Sequence, residues 1–187
     1  MAKEDKGKEL AFLLRHDMDA FNEGLIDKDG WRQVSELVKH HGYTRKMIDD
    51  IVETNNKQRF EYDGHKMRIR ARQGHSIPVD VELTEVTECG ILWHGTSTRF
   101  INNILREGLK PQSRLHVHLS PDEETAIKVG KRHGGGLVII EINTPQMLKD
   151  GQKIWISNNG VYLTDHVDPK YFLNIKSILD EGEIKWS

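Results

Sequence analysis

Between Leu92 and Gly134 the chain gathers polar side chains of the kinds that hold or move charge in a cleft. They are Trp93-His94-Gly95-Thr96-Ser97, then Arg114-Leu115-His116-Val117-His118-Leu119-Ser120, then Gly130-Lys131-Arg132-His133-Gly134. Each run sets a histidine or arginine beside glycine or a hydroxyl, and together they read as parts of one polar cleft. Two of the runs lie in strand-like stretches, where a buried imidazole must have its nitrogens satisfied. Arg15-His16 and Gln73-Gly74-His75-Ser76 add further groups of the same kind. Guanidinium forks match phosphate oxygens, and imidazole moves protons near neutral pH.

Each run also has a plain structural reading. Arg15-His16 closes an apolar helix, where cations suit the helix dipole; a phosphate site there requires other arginines to converge on the same spot. Arg68, Arg70 and Arg72 alternate and so share one strand face. That face is either a charge-protected sheet edge or a surface for phosphate. His94-Gly95-Thr96 follows a strand and precedes a helix. It is either a turn capped by Thr96 or Ser97, or a place where Gly95 lets a ligand approach the backbone while His94 and Thr96 bond a ribose or an amide. Lys131-Arg132-His133 suits a helix C-terminus stopped by Gly134, or else Arg132 is a fixed cation at the cleft rim. His116 and His118 alternate as two metal ligands could, but a third ligand is poorly placed and Cys89 is a single thiol, so no metal is expected. There is no G-x-G-x-x-G run and no Walker loop, which leaves no sign of a Rossmann site or a P-loop.

The elements that must position these groups fall into two textures. Lys8 to Arg15 places Leu10, Leu13 and Leu14 on one helical face, ending near His16 before an irregular Asp17–Asn22. Gly24 to Trp31 reads as a turn. Ser35 is expected to cap a helix through Leu37 and Val38 to His41, stopped by Gly42, and Thr44 to cap the next, with Met47, Ile48 and Ile51 inward. Arg59–Tyr62, the turn Asp63-Gly64 and Lys66–Arg72 read as a β-hairpin. Helices followed by a hairpin describe a winged-helix module. Ile77–Leu83 reads as an extended crossing. Strands are then expected at Ile91–His94, Leu115–Leu119, Leu137–Ile142, Trp155-Ile156, Val161–Leu163, Phe172–Ile175 and Glu183–Trp186. Helices are expected over Arg99–Glu107 and after a Ser120/Glu123 capping box through Ala126, Ile127 and Val129. The fold class is α+β, divided near residues 80–88 into a mainly helical first part and a β-rich second part.

Composition narrows the function classes. A chain of 187 residues holds one domain or two small ones, and 36% apolar with 30% charged residues suits a soluble globular protein. A formal charge of −2 excludes a global nucleic-acid signature, so phosphate contacts must come from local patches. A lone cysteine excludes an internal disulfide and fits a reducing, cytoplasmic setting. No stretch is long and apolar enough to span a membrane, and Met1 to Glu9 lacks the apolar core of a signal peptide.

Taken in order, seven runs closely resemble the RNA 2′-phosphotransferase family, enzymes that remove a 2′-phosphate from spliced tRNA with NAD+. They are Leu14-Arg15-His16, Asp29-Gly30-Trp31, Lys57-Gln58-Arg59-Phe60, Ile69 to Ser76, His94-Gly95-Thr96, Arg114 to Ser120, and Gly130 to Gly134. Any one run is weak; the ordered set is specific and covers nearly the whole chain. The resemblance implies a winged-helix-like RNA-binding lobe over residues 1–82 and an ADP-ribosyltransferase-like, NAD-binding lobe over 83–187. It implies that Arg15, His16, Arg59 and Arg132 are catalytic. It places His94, Gly95 and Thr96 in the NAD+ pocket, with His118 and Ser120 on the facing strand and Arg132 beside them. Arg114 and His75 carry over as RNA contacts, joined on the phosphate reading of the hairpin by Arg68 and Arg70.

The implied reaction has two steps. The internal RNA 2′-phosphate attacks C1″ of the nicotinamide ribose and expels nicotinamide, giving a 2′-phospho-ADP-ribosylated RNA. The ribose O2″ then attacks phosphorus, releasing 2′-OH RNA and ADP-ribose 1″,2″-cyclic phosphate. No metal is called for, the RNA is tRNA-like, and a monomer is expected. Two other readings fit part of the pattern: an ADP-ribosyltransferase acting on nucleic-acid phosphate ends or on protein, and a non-catalytic winged-helix RNA-binding protein.

Overall fold

A computed structural model describes residues 3–55, 57–178 and 184–186. Met1 and Ala2 of the N-terminal stretch, and Glu183 of the last expected strand, lie outside them. The chain forms two compact units, one of residues 1–82 with 113–115 and the other of residues 83–112 with 116–187.

The first unit is mainly helical. Helix α1 (Lys3–Arg15) turns Leu10, Leu13 and Leu14 inward, as their spacing requires. They pack with Val34 and Leu37 of α3 (Val34–His40), Ile48 and Ile51 of α4 (Arg45–Glu53), and Phe60, Ile69 and Ala71 of a small sheet. That sheet has the antiparallel order β1-β3-β2, with β1 at Arg32–Gln33, β2 at Phe60–Tyr62 and β3 at Arg68–Ala71. Three features differ from the sequence reading. Asp17–Asn22 is not irregular: the Asp17 carboxylate accepts from the Ala20 amide at 3.1 Å and opens a short helix, α2 (Met18–Asn22). Ser35 lies inside α3, because β1 runs straight into the helix and Gln33 becomes the N-cap without a side-chain bond. The hairpin gains β1 as a third strand, pairing Arg32 with Ile69. Thr44 does cap α4, accepting from the Met47 amide at 3.1 Å.

The second unit is β-rich. One antiparallel sheet has the order β11-β10-β7-β5, formed by Ile184–Trp186, Phe172–Ile178, Leu137–Ile142 and Leu92–Ser97. The other has the order β4-β8-β9-β6, formed by Thr84–Glu85, Ile154–Ile156, Tyr162–Thr164 and Val117–Leu119. Val138, Ile140 and Ile142 of β7 pack with Val117, Leu119 and Ile154 of the second sheet. Leu137 and Ile139, on the other face of β7, pack with Ala126 of α6 (Glu123–Gly130). Burial on both faces explains the unbroken apolar run Leu137–Ile140. The helix expected after Ser97 begins as a 3-10 turn at Thr98–Phe100 and continues as α5 (Ile101–Glu107). The cap of α6 is Asp122, not Ser120, with its carboxylate accepting from the Thr125 amide at 2.7 Å. A helix that the sequence reading did not place, α7 (Thr144–Lys149), starts from an Asn143 cap with Pro145 in its first turn.

Candidate active site

In the first unit the polar groups collect where α1 ends. The Arg15 carbonyl accepts from the amides of Ser76 and Ile77 at 3.0 and 3.3 Å, and the Arg15 Nη2 donates to Gln73 Oε1 at 3.3 Å. His16 Nδ1 lies 2.9 Å from Ser76 Oγ. The loop from Gln73 to Ile77 therefore holds both residues of the Arg-His pair. Arg59 is set at the entry to β2 by its amide, which donates to Asn55 Oδ1 at 3.2 Å, and by its carbonyl, which accepts from the Arg72 amide at 2.9 Å. Arg114 precedes Leu115, whose amide donates to the His75 carbonyl at 2.9 Å.

The electrostatics show what this gathering favours. Burial, then the positive charges of Arg59 and Arg114, lower the Arg15 guanidinium to about 10. Its Nε is buried without a hydrogen-bond partner. Burial, then Arg15 and Arg114, also hold the His16 imidazole below its ordinary value. Three guanidinium groups close enough to repel one another, with an unpartnered donor among them, form a site that a phosphate dianion relieves.

Arg32 was not read as functional, yet it secures this end of α1. It is 1% exposed. Its Nη1 donates to the Leu13 carbonyl at 3.0 Å and to Asp17 Oδ2 at 2.8 Å, one contact on each side of Arg15-His16. Its Nε and Nη2 donate to Glu36 at 2.6 and 3.1 Å, and Nη2 also donates to His41 Nε2 at 2.9 Å. Glu36 four residues after an arginine was the available signal, but that spacing suggests an exposed helix pair, not a buried clamp.

His75 is placed in the interior. It is 2% exposed, its Nε2 has no partner, and Gly30 at φ +81° packs close to that nitrogen. Burial first, then the charges of Arg15, His16 and Arg70, lower its pKa to about 3, so it stands neutral behind the arginines. The hairpin arginines also differ from a free phosphate face. Arg70 is 4% exposed, donates to Glu61 at 2.6 Å and to the Asp29 carbonyl at 3.2 Å, and stacks on Trp31 with 4.3 Å to the ring centroid. Arg68 pairs with Asp63 and Asp27 at 3.1 and 3.2 Å. Carboxylates already take up the charge that alternation seemed to offer.

In the second unit, strand register sorts the His94-Gly95-Thr96 run. His94 and Thr96 pair with Ile140 and Val138, whose side chains face the second sheet; Gly95 pairs with Ile139, on the α6 side. His94 Nδ1 donates to the His118 carbonyl at 3.0 Å, which fixes the orientation of the ring. Thr96 is 5% exposed on the same face. A backbone bridge joins the strands, with Trp93 N to Ser120 O at 3.0 Å and Ser120 N to Trp93 O at 2.7 Å. A Cβ at Gly95 would collide with the Ala126 carbonyl, so the glycine lets α6 pack against this strand. His116 and His118 alternate with the buried Val117 and Leu119. His116 meets Trp155 edge-on at 5.3 Å and lies 3.9 Å from Asp165. Arg132 is exposed on the 3-10 turn Lys131–His133, and the Ser97 hydroxyl donates to the Gly134 carbonyl at 2.9 Å just beyond it.

Arg15, His16, Arg59 and Arg114 are thus brought together in one unit, with His75 behind them. His94, Thr96, His118 and Ser120 are brought together in the other. Among the described residues, no group of three or more His, Cys, Asp or Glu could hold a metal ion. Such features define an α+β protein with a gathering of arginines at one helix end. The chain belongs to the RNA 2′-phosphotransferase, Tpt1 / KptA family, whose profile matches residues 2–166. It is 44% identical over 174 residues to a probable RNA 2′-phosphotransferase of Acaryochloris marina, covering 90% of this chain and 95% of that one. It is 45% identical over 180 residues to the Hahella chejuensis protein of the same description, covering 94% of each. An Escherichia coli relative so described is 40% identical over 169 residues, covering 87% of this chain and 91% of its own.

Proposed function

We propose that this protein removes an internal 2′-phosphate from RNA, as at a tRNA splice junction, with NAD+ as the second substrate. The gathering of Arg15, Arg59 and Arg114 beside His16, with the Arg15 Nε buried and unpartnered, carries the reading, together with membership of the family. The first unit is read as a winged-helix-like RNA-binding lobe, and the second as an ADP-ribosyltransferase-like lobe. In the second, the His94 imidazole and the Thr96 hydroxyl share one face of β5, and that pair of groups fits a ribose or carboxamide. His94 and Thr96 would hold NAD+, with His118, Ser120 and Arg132 as further candidates. NAD+ supplies an electrophilic ribose carbon with nicotinamide as leaving group.

The remaining work belongs to the protein. The RNA 2′-phosphate is already an anion, so its first attack needs orientation more than a base. Arg15, Arg59 and Arg114 supply that by fixing its oxygens. Transfer away from the RNA then builds charge around phosphorus, and preorganised guanidinium groups stabilise it without a metal, as in other phosphoryl transfers. His16, held neutral by burial and by Arg15 and Arg114, is placed to exchange a proton at the phosphate or the departing 2′-oxygen.

The test is incubation with a short oligonucleotide carrying one internal 2′-phosphate, with NAD+, followed by mass analysis. The expected products are 2′-OH RNA, nicotinamide and ADP-ribose 1″,2″-cyclic phosphate. Nicotinamide release that does not depend on the 2′-phosphate would instead mark a transferase acting on other groups. No consumption of NAD+ would leave only RNA binding.

A further inference from the structure

The chemistry assigned to the first unit accounts for a phosphate but not for the nucleoside that carries it. Phe12 stands one helical turn before His16, and residues four apart share a helix face. Its ring centroid lies 5.8 Å from that of His16, with the planes inclined at 47°. The apolar face of α1 is formed by Leu10, Leu13 and Leu14, all buried; Phe12 projects away from it and is 57% exposed. The other aromatic side chains of this unit are engaged. Tyr43 and Phe60 are buried, Tyr62 donates to Asp49 at 2.7 Å, Trp31 lies under Arg68 and Arg70, and Phe21 is half-buried. One large aromatic ring is thus left on the surface, beside the imidazole of the arginine cluster.

We propose that Phe12 is a substrate-positioning platform on which the base of the 2′-phosphorylated nucleotide stacks. This rests on the phosphotransferase reading above. The 2′-phosphate and the base are carried on adjacent carbons of the same ribose, so a phosphate held by Arg15, Arg59 and Arg114 keeps its own base within reach of side chains bordering His16. Every base presents a π-face, so a bare phenyl ring grips the nucleotide without selecting its sequence. An enzyme that must accept whichever nucleotide carries the phosphate gains from such a contact, whereas hydrogen-bonding side chains would read the base. The platform also restricts rotation of the bound nucleotide and so helps to fix the phosphate oxygens for attack.

The experiment compares wild type, Phe12→Ala and Phe12→Trp on two 2′-phosphorylated trinucleotides that are identical except that one is abasic at the phosphorylated residue. For wild type, removing the base is expected to raise KM for RNA roughly five- to a hundredfold, the range given by base–aromatic stacking. Phe12→Ala should raise KM for the intact substrate by a similar factor. It should show little further loss with the abasic one and leave KM for NAD+ unchanged. Phe12→Trp should restore both the affinity and the dependence on the base. Phe12 lies outside the core, and a thermal melt run beside the assay checks that the variants fold. Equal discrimination between the two substrates in wild type and Phe12→Ala would overturn the proposal. So would a Phe12→Ala protein that changes only its oligomeric state, which would make this ring an interface between copies. If wild type leaves the intact substrate unconverted, the phosphotransferase reading fails, an outcome distinct from either of these.

Discussion

His75 and Arg15 carry opposite forms of the same electrostatic problem. The His75 imidazole is buried beside cations and its pKa is lowered to about 3, whereas in the unfolded chain it is near 6.5. Above pH 6.5 both states are neutral there, and the residue adds no pH dependence. As the pH falls below 6.5 the unfolded chain takes up a proton that the folded one refuses, so stability drops until the pH nears 3. A shift of that size corresponds to about 4 to 5 kcal/mol. Urea unfolding at pH 7, 5.5 and 4 should show most of this loss, and His75→Leu should flatten the trend; an unaltered slope in that variant would place the acid sensitivity elsewhere. Arg15 is lowered to about 10 by burial and by Arg59 and Arg114, a repulsion that a bound anion relieves. Millimolar inorganic phosphate should therefore raise the melting temperature of the wild type. Arg15→Ala should reduce that rise to the level of general salt, measured against chloride of equal ionic strength.

At the scale of elements, two close fits hold the functional residues in place. The Arg32 guanidinium joins Leu13 and Asp17 to Glu36 of α3, so it fastens the end of α1 to the helix beneath. Removing one member of a buried ionic network strands the others, at a cost of about 3 to 5 kcal/mol. Arg32→Ala should lower stability by that order in denaturant melts, and Arg70→Ala, which leaves Glu61 only its ion pair with Arg72, should destabilise less. Arg68→Ala, half exposed, should change stability little; if it weakens RNA binding and flattens its salt dependence, the hairpin touches phosphate despite its carboxylate partners. In the second unit Gly95 lets α6 approach β5, and Gly95→Ala should cost about 3 kcal/mol or more because a backbone carbonyl blocks the new methyl. These elements also show what a sequence makes legible. The amphipathic spacing of α1, the Thr44 cap and the twice-buried β7 were readable, because periodicity and capping are local. The α6 cap was misplaced to Ser120 because Ser120 instead bridges Trp93 across strands, a pairing that no local pattern reveals. Arg32 gave no local signal of its burial, and the place of Gly95 against α6 was equally hidden. Their partners Asp17 and Ala126 meet them only through tertiary packing, whereas Glu61 faces Arg70 across the expected hairpin.

At the scale of the molecule, the proposed reaction divides its demands between two sets of residues. One set, Arg15, His16 and Arg59, is gathered in the first unit around the proposed phosphate site; the other, His94 and Thr96, lies on one face of β5 in the second. The first chemical step needs the RNA phosphate oriented and the nicotinamide ribose presented. The second needs charge stabilised at phosphorus and a proton exchanged with the departing oxygen. Losses in the two sets should therefore look different in time. Arg59→Ala and His16→Ala should slow the second step more than the first, because an anion still binds the remaining arginines while stabilisation at phosphorus is reduced. Arg132→Ala belongs to the same comparison, since the resemblance gives that residue a catalytic role while the structure shows it exposed on a 3-10 turn. ADP-ribosylated RNA should build up in at least one of these variants and then decay to 2′-OH RNA. His94→Ala should instead slow nicotinamide release, so that substrate persists and no intermediate gathers. Neither pattern should respond to EDTA, since the charge-stabilising groups are guanidinium forks. A single-turnover time course, with substrate, intermediate and product separated on a denaturing gel, distinguishes these outcomes. If His94→Ala accumulates the intermediate while the arginine and His16 variants never do, the roles are reversed, and the phosphate cluster serves binding alone.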